Sequence, residues 1–174
     1  MEFTFDTIYG VKAVTVMSKA LRKTLRREKT LKRDILQIVL CIACYLLPFL
    51  PPGREFSWDI MTITSFFLAT FTLLMIIFYD LINGITAQYT VDERLKRNVT
   101  VFYDCWYTST TEYETKQWMY GNHKITAEMG NYFVFIFDEY TAYVYDKRTL
   151  TGGTEEDFRK FIIDKTGREI VKLK

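Results

Sequence analysis

The sequence predicts a membrane α+β protein, a two-helix transmembrane hairpin followed by a small β-rich domain that ends in a helix. Two uncharged apolar runs, residues 35–50 and 60–79, predict the hairpin. From residue 86 onward, short β-type segments separated by turn residues predict the β-rich part. Charge orients the whole: 9 Lys/Arg against 4 Asp/Glu precede Ile35, whereas 13 against 14 fall in residues 86–174. Basic flanks resist translocation, so the N-terminal part stays cytoplasmic and two crossings return the C-terminal part to the same side. The organisation expected is therefore a strand and basic helix over 1–34, the hairpin over 35–80, and a cytoplasmic domain over 86–174.

Residues 2–6 alternate Phe3 and Phe5 with polar neighbours, which suits a short strand with one buried face, joined to the C-terminal sheet or laid against the membrane. After Gly10, the residues Val11, Val14, Met17, Leu21 and Leu25 recur at intervals of three and four, the period of an amphipathic helix. The other faces carry Lys19, Arg22, Lys23, Arg26, Arg27, Lys29, Lys32 and Arg33, opposed within that stretch only by Glu28. These eight are the candidate lipid-headgroup contacts. A basic amphipathic helix before a span can lie on an anionic leaflet, each cation contributing about 1 kcal/mol. The same charges can equally serve as an orienting signal and nothing more. No nucleic-acid module accompanies them, so nucleic acid is not an expected partner.

The second apolar run has the length a helix needs to cross a bilayer core of roughly 30 Å. The first reaches only about 24 Å as a helix and needs Arg33 to snorkel or the bilayer to thin. Pro48, Pro51, Pro52 and Gly53 close it and open an outer loop over 51–59, with Phe56 and Trp58 at one interface and Tyr79 at the other. Thr62, Thr64, Ser65, Thr70 and Thr72 make the second span hydroxyl-rich, suited to helix contacts. Neither span holds an ionisable residue, which argues against a pump or carrier acting alone. A cleaved signal peptide is not expected, because the apolar run begins too late and no small-residue cleavage site follows it. Cys41 and Cys44 have C-x-x-C spacing, but among apolar neighbours and without further ligands they read as small packing residues.

Strands are predicted over 86–91, 99–103, 106–110, 113–120, 124–128, 132–137 and 141–145, with turns at Gly121-Asn122, Gly130-Asn131 and Asp138-Glu139. Residues 132–137 are apolar on both faces and predict a central strand covered on each side. The last helix opens at Thr154 with Asp157 completing a capping box, runs to about Lys165 and stops at Gly167. Phe158, Phe161 and Ile162 form its buried stripe.

These residues carry a resemblance. Ile125-Thr126-Ala127-Glu128 leading to Tyr132-Phe133-Val134-Phe135, the stretch Ala142-Tyr143-Val144-Tyr145-Asp146-Lys147-Arg148, and Gly152-Gly153 before Glu156-Asp157-Phe158 resemble the YcxB-like membrane proteins of bacteria. Asp146 stands where those proteins commonly have a proline before the lysine. The resemblance implies a pleckstrin-homology-like C-terminal domain in a bacterial inner-membrane protein. It implies no activity.

Catalytic chemistry has weak footing. His123 is the only histidine and follows a turn pair, so it reads as a solvated turn residue, and a Cys105–His123 nucleophile pair lacks an orienting third group. Glu112, Glu114 and Glu128 alternate as solvent-facing sheet positions do and not as a metal loop. Thr151-Gly152-Gly153-Thr154 could offer N–H groups to an anion, but Glu155, Glu156 and Asp157 repel one, and a plain helix cap explains it. Eight Tyr and Trp (Tyr103, Trp106, Tyr107, Trp118, Tyr120, Tyr132, Tyr143, Tyr145) are core candidates with some left for contact at a surface. The expected function is a non-enzymatic inner-membrane protein without catalytic, cofactor or metal residues. Its cytoplasmic domain would meet a protein, a second copy or the lipid surface; an accessory subunit of a transporter or membrane enzyme is the alternative.

Overall fold

A computed structural model describes residues 2–49, 57–90, 93 and 96–173. Among them the fold is α+β, with five α-helices and two four-stranded sheets. The chain forms two compact units, one of Met1–Arg26 with Asp80–Lys174 and the other of Arg27–Tyr79.

In the first unit, β1 (Phe3–Ile8) buries Phe3, Phe5 and Thr7 by simple alternation. It pairs antiparallel with β2 (Arg97–Phe102), followed by β3 (Trp106–Thr110) and β4 (Thr115–Met119), in the order β1-β2-β3-β4. The N-terminal strand thus joins a C-terminal sheet, the first of the two places its alternation allowed. The second sheet has the order β7-β6-β5-β8, from β5 (Ile125–Met129), β6 (Tyr132–Ile136), β7 (Ala142–Asp146) and β8 (Val171–Leu173). Backbone bonds between Thr4 and Thr151 (3.0 and 2.9 Å) and the bond from Asp146 N to Thr7 Oγ1 (3.1 Å) tie β1 to the end of β7 and the segment after it. Strand β6 is buried throughout: Phe133 and Phe135 enter an aromatic core with Phe3, Phe5, Phe102, Tyr107, Tyr145 and Phe158, and Val134 and Ile136 face Ala13, Ala20 and Leu21.

Helix α1 (Val11–Lys23) lays Ala13, Ala20 and Leu21 on that second face and buries Val14 as well. It ends earlier than its periodicity suggests. Thr24 turns its hydroxyl onto the Ala20 carbonyl (2.7 Å) and Arg26 N–H donates to the Leu21 carbonyl (3.0 Å), so the basic stretch is divided between α1 and α2 (Arg27–Leu46). Helix α5 (Glu155–Thr166) has the expected termini, a reciprocal Thr154–Asp157 capping box and Gly167 in the left-handed region at φ 64°. Its Phe158 and Ile162 are fully buried.

Two departures have tertiary causes. Residues 86–91 are not a strand: helix α4 (Tyr79–Thr90) takes the chain to Thr90, and residue 91 lies outside the described residues. Gly84 is buried and allows α1 so near that a Cβ there would lie 2.3 Å from Thr15 Oγ1. Close helix packing overrides the β-branched local preference. Strand β8 is an unanticipated addition, pairing parallel with β5 from Ala127↔Val171 to Met129↔Leu173.

In the second unit, α2, a 3-10 turn (Leu47–Phe49) and α3 (Ile60–Ile77) pack together. The seam is small: Cys41, Cys44 and Ala69 are buried, Cys41 Sγ donates to the Ala69 carbonyl (2.9 Å), and Tyr45 meets Thr70 Oγ1 (3.0 Å). Asp59 caps α3 by accepting from Thr62 N–H (2.9 Å). Among the described residues α3 alone is both long and apolar enough to cross a membrane. The charges of α2 occupy its first two turns, leaving an uncharged helical stretch over 35–46. Most of the predicted outer loop, with Pro51, Pro52, Gly53 and Phe56, lies outside the described residues.

Candidate functional site

The eight predicted headgroup contacts separate into three places. Lys19, Arg22 and Lys23 line a groove of about 800 Å³ in the first unit. Arg26 instead donates through Nε to the Glu139 carbonyl and lies over the Tyr140 ring at 4.9 Å. Arg27, Lys29, Lys32 and Arg33 belong to α2, where Arg33 pairs with Asp34 (3.0 Å) and covers the Tyr79 ring at 4.2 Å.

Helical spacing builds one wall of the groove. With its buried face committed to the sheet, α1 presents Lys12, Lys19 and Lys23 at i, i+7 and i+11, with Val11, Thr15, Val16 and Arg22 between them. The β5–β6 turn, Met129 to Tyr132, supplies the second wall, aided by Arg148 and Leu173, and Leu81 of α4 adds an apolar surface. Five cations line the groove and no carboxylate does. Two of the five are braced from outside it. Asp80, buried at the start of α4, receives Arg22 Nη2 at 2.6 Å and Ser18 Oγ at 3.0 Å. Asp146 holds Arg148 through Nε (2.9 Å) and Nη2 (2.5 Å), and its carboxyl is kept below the usual range chiefly by that hydrogen-bonded guanidinium. Lys12 and Lys19 are exposed and, among the described residues, carry no ion pair. The sequence reading missed Lys12 and Arg148; helical phase could have found Lys12, but only tertiary structure brings Arg148 to it.

The other candidates resolve differently from their sequence reading. His123 is fully buried and not a solvated turn residue: Nε2 meets Thr126 Oγ1 (2.8 Å), the ring stacks on Phe135 (centroids 4.4 Å apart), and Nδ1 has no partner among the described residues. Burial, reinforced by the Arg168 charge, lowers its pKa to about 4, so it is neutral at physiological pH. Cys105 is exposed. Glu128 is no solvent-facing sheet residue either. It is half-buried, pairs with Lys147, and accepts from Arg159 Nε (3.0 Å) and Nη2 (2.8 Å); hydrogen bonding to Arg159 first, then Lys147, pulls its pKa to about 2. Glu112 and Glu114 are exposed as expected. The Thr151–Thr154 segment closes on β1, and its helix-end groups are taken up by the Thr154–Asp157 box. Of the Tyr and Trp set, Tyr107, Tyr120, Tyr132 and Tyr145 are buried, while Trp106 is 40% exposed. Among the described residues no three His, Cys, Asp or Glu side chains gather as a metal site requires.

His123 makes stability depend on pH in a defined window. The unfolded histidine takes up a proton near 6.5 and the folded one not until about 4, so stability falls as pH drops through that interval. The full loss is on the order of 3 kcal/mol. Glu128, depressed from 4.5 to about 2, adds a further loss as pH falls below about 4.5. Denaturant melts of His123→Gln against pH should lack the slope between 6.5 and 4.5 and keep the one below it. Parallel slopes in both proteins would show that His123 is not the group responsible.

Comparison with known proteins found no matching family model, no matching curated protein and no matching solved structure.

Proposed function

We propose that the chain is a non-enzymatic, membrane-anchored binding protein of the bacterial inner membrane. In this reading α2 with its 3-10 extension and α3 form a two-span hairpin, and the unit with the two sheets is a YcxB-like, pleckstrin-homology-like domain displayed to the cytoplasm. One observation carries it: α3 buries only 17% of its apolar window, leaving Ile60, Met61, Ile63, Phe67, Leu68, Phe71, Leu73, Leu74 and Ile77 exposed. A contiguous apolar surface of that kind is unfavourable in water and favourable in hydrocarbon. Thr64 and Thr72 return their hydroxyls to the Ile60 (2.7 Å) and Leu68 (2.9 Å) carbonyls of their own helix, so these two lend little to the alternative of a subunit packed in a transporter or enzyme complex.

Cys105, exposed while Cys41 and Cys44 are buried, reports the orientation. A membrane-impermeant maleimide should leave it unmodified in right-side-out cells and modify it once the inner face is opened. Modification in intact cells would reverse the topology; quantitative release of the protein by alkaline carbonate would remove the anchoring altogether.

A further inference from the structure

The groove beside α1 is amphiphilic, not merely basic. Lys12, Lys19 and Arg148 provide charge from two walls, and Val11, Leu81 and Leu173 provide apolar surface between and beside them. Its volume of about 800 Å³ suits a ligand headgroup with its linker and the first few methylenes of a chain, and falls within the roughly 300–1,000 Å³ of small-molecule sites. The cation set selects an acid: no carboxylate lines the groove, and although Asp80 and Asp146 offset Arg22 and Arg148 from behind, Lys12 and Lys19 add charge that no ion pair among the described residues offsets. Covalent connectivity supplies a second argument. Leu81 is four residues beyond Ile77, the end of α3, and four residues of chain span at most about 14 Å. If α3 lies in a bilayer, its headgroup layer is within reach of Leu81.

We propose that this groove binds the phosphodiester headgroup of one anionic glycerophospholipid, Lys12, Lys19 and Arg148 pairing with the phosphate and Val11, Leu81 and Leu173 receiving the glycerol and the chain beneath it. The assignment rests on the membrane-anchored reading above and adds to it a stoichiometric ligand in place of diffuse attraction. An anion without a hydrocarbon part would use the cations and leave the apolar strip idle.

The test uses the full chain in phosphatidylcholine nanodiscs with and without phosphatidylglycerol, with lipid retained after gentle detergent transfer counted by native mass spectrometry. One phosphatidylglycerol per chain is expected. Lys12→Gln with Lys19→Gln should weaken retention roughly thirtyfold, two cations each at the strength of a surface lipid contact. Lys124→Gln with Lys160→Gln, exposed and outside the groove, removes the same charge and should change nothing. Leu81→Gln should weaken phosphatidylglycerol retention several-fold, and inorganic phosphate should not displace the lipid. Equal losses in the two lysine pairs would overturn the proposal in favour of diffuse attraction. Displacement by inorganic phosphate, with Leu81→Gln silent, would overturn it in favour of a free phosphate site. Carbonate extraction of the cell membranes from which the chain is purified separates the two levels: membrane-resident protein that retains no lipid defeats the groove assignment alone, and released protein defeats the anchored reading as well.

Discussion

Phe102→Ala is expected to destabilise the unit with the two sheets by about 3–5 kcal/mol, the cost of removing a fully buried aromatic side chain. Phe102 is fully buried and its ring lies within 6.5 Å, centroid to centroid, of those of Phe5, Tyr107, Tyr120, Phe135, Tyr145 and Phe158, so both sheets, including β1, and α5 all lean on it. Several of these pairs are edge-to-face, an arrangement that contributes beyond the area it buries. Truncation therefore opens a cavity whose walls are stiff rings held by both sheets and a helix, and such walls cannot collapse inward as flexible aliphatic ones can. Phe102→Leu retains most of the volume and should cost about 1 kcal/mol or slightly more. Denaturant unfolding in a fixed detergent, followed through Trp106 and Trp118, measures both. A loss below about 1 kcal/mol for the alanine variant would mean that the two sheets do not share this core.

The parts legible in the sequence were those fixed by local chemistry. Thr154 with Asp157 at one end and Gly167 at the other define α5 by local groups, and the unbroken apolar run over 132–137 reads as a strand covered on both faces, as β6 is over Tyr132–Ile136. Phe3 and Phe5 announced a one-sided strand, but β2 as its partner lies more than ninety residues away, which no local signal encodes. Where tertiary contact decides, the reading failed. Helix α4 contains enough Ile, Thr and Tyr to look extended until Gly84 meets Thr15 and Asp80 meets Arg22. His123 follows a turn pair and looks solvated until Phe135 covers it. The groove was half legible: the α1 cations share a face by helical phase, whereas Arg148, Leu81, Leu173 and the β5–β6 turn reach them only through the fold. Nor could the sequence show that Arg26 and Arg33 are engaged elsewhere, since a basic run states charge and not direction.

Gly152→Ala should be the most damaging single-methyl addition among the described glycines. Gly152 has φ +92°, a conformation that L residues rarely adopt, and a Cβ placed there would lie 1.9 Å from the Glu2 carbonyl oxygen. Backbone cannot swing aside as a side chain can, so the segment after β7 must part from β1, and the first bonds lost are those between Thr4 and Thr151. With the clamp open, Phe3 loses the cover that Gly153 gives its ring, and the expected cost is about 3 kcal/mol or more. Two neighbours calibrate the result. At Gly153 the φ is outside the left-handed region and a Cβ would meet the Phe3 ring at 2.6 Å, not backbone, so Gly153→Ala should cost less. At Gly130 the φ is +55° but a Cβ would enter open space, so Gly130→Ala should cost only about 1 kcal/mol, the backbone penalty alone. Hydrogen exchange localises the damage: the Thr4 and Thr151 amides should lose protection first in Gly152→Ala, ahead of the β6 amides at the centre of the second sheet. If Gly152→Ala and Gly130→Ala prove equally mild, the Thr4–Thr151 clamp does not hold the N-terminal strand, and its ladder with β2 and the ring contacts of Phe3 and Phe5 keep it in place.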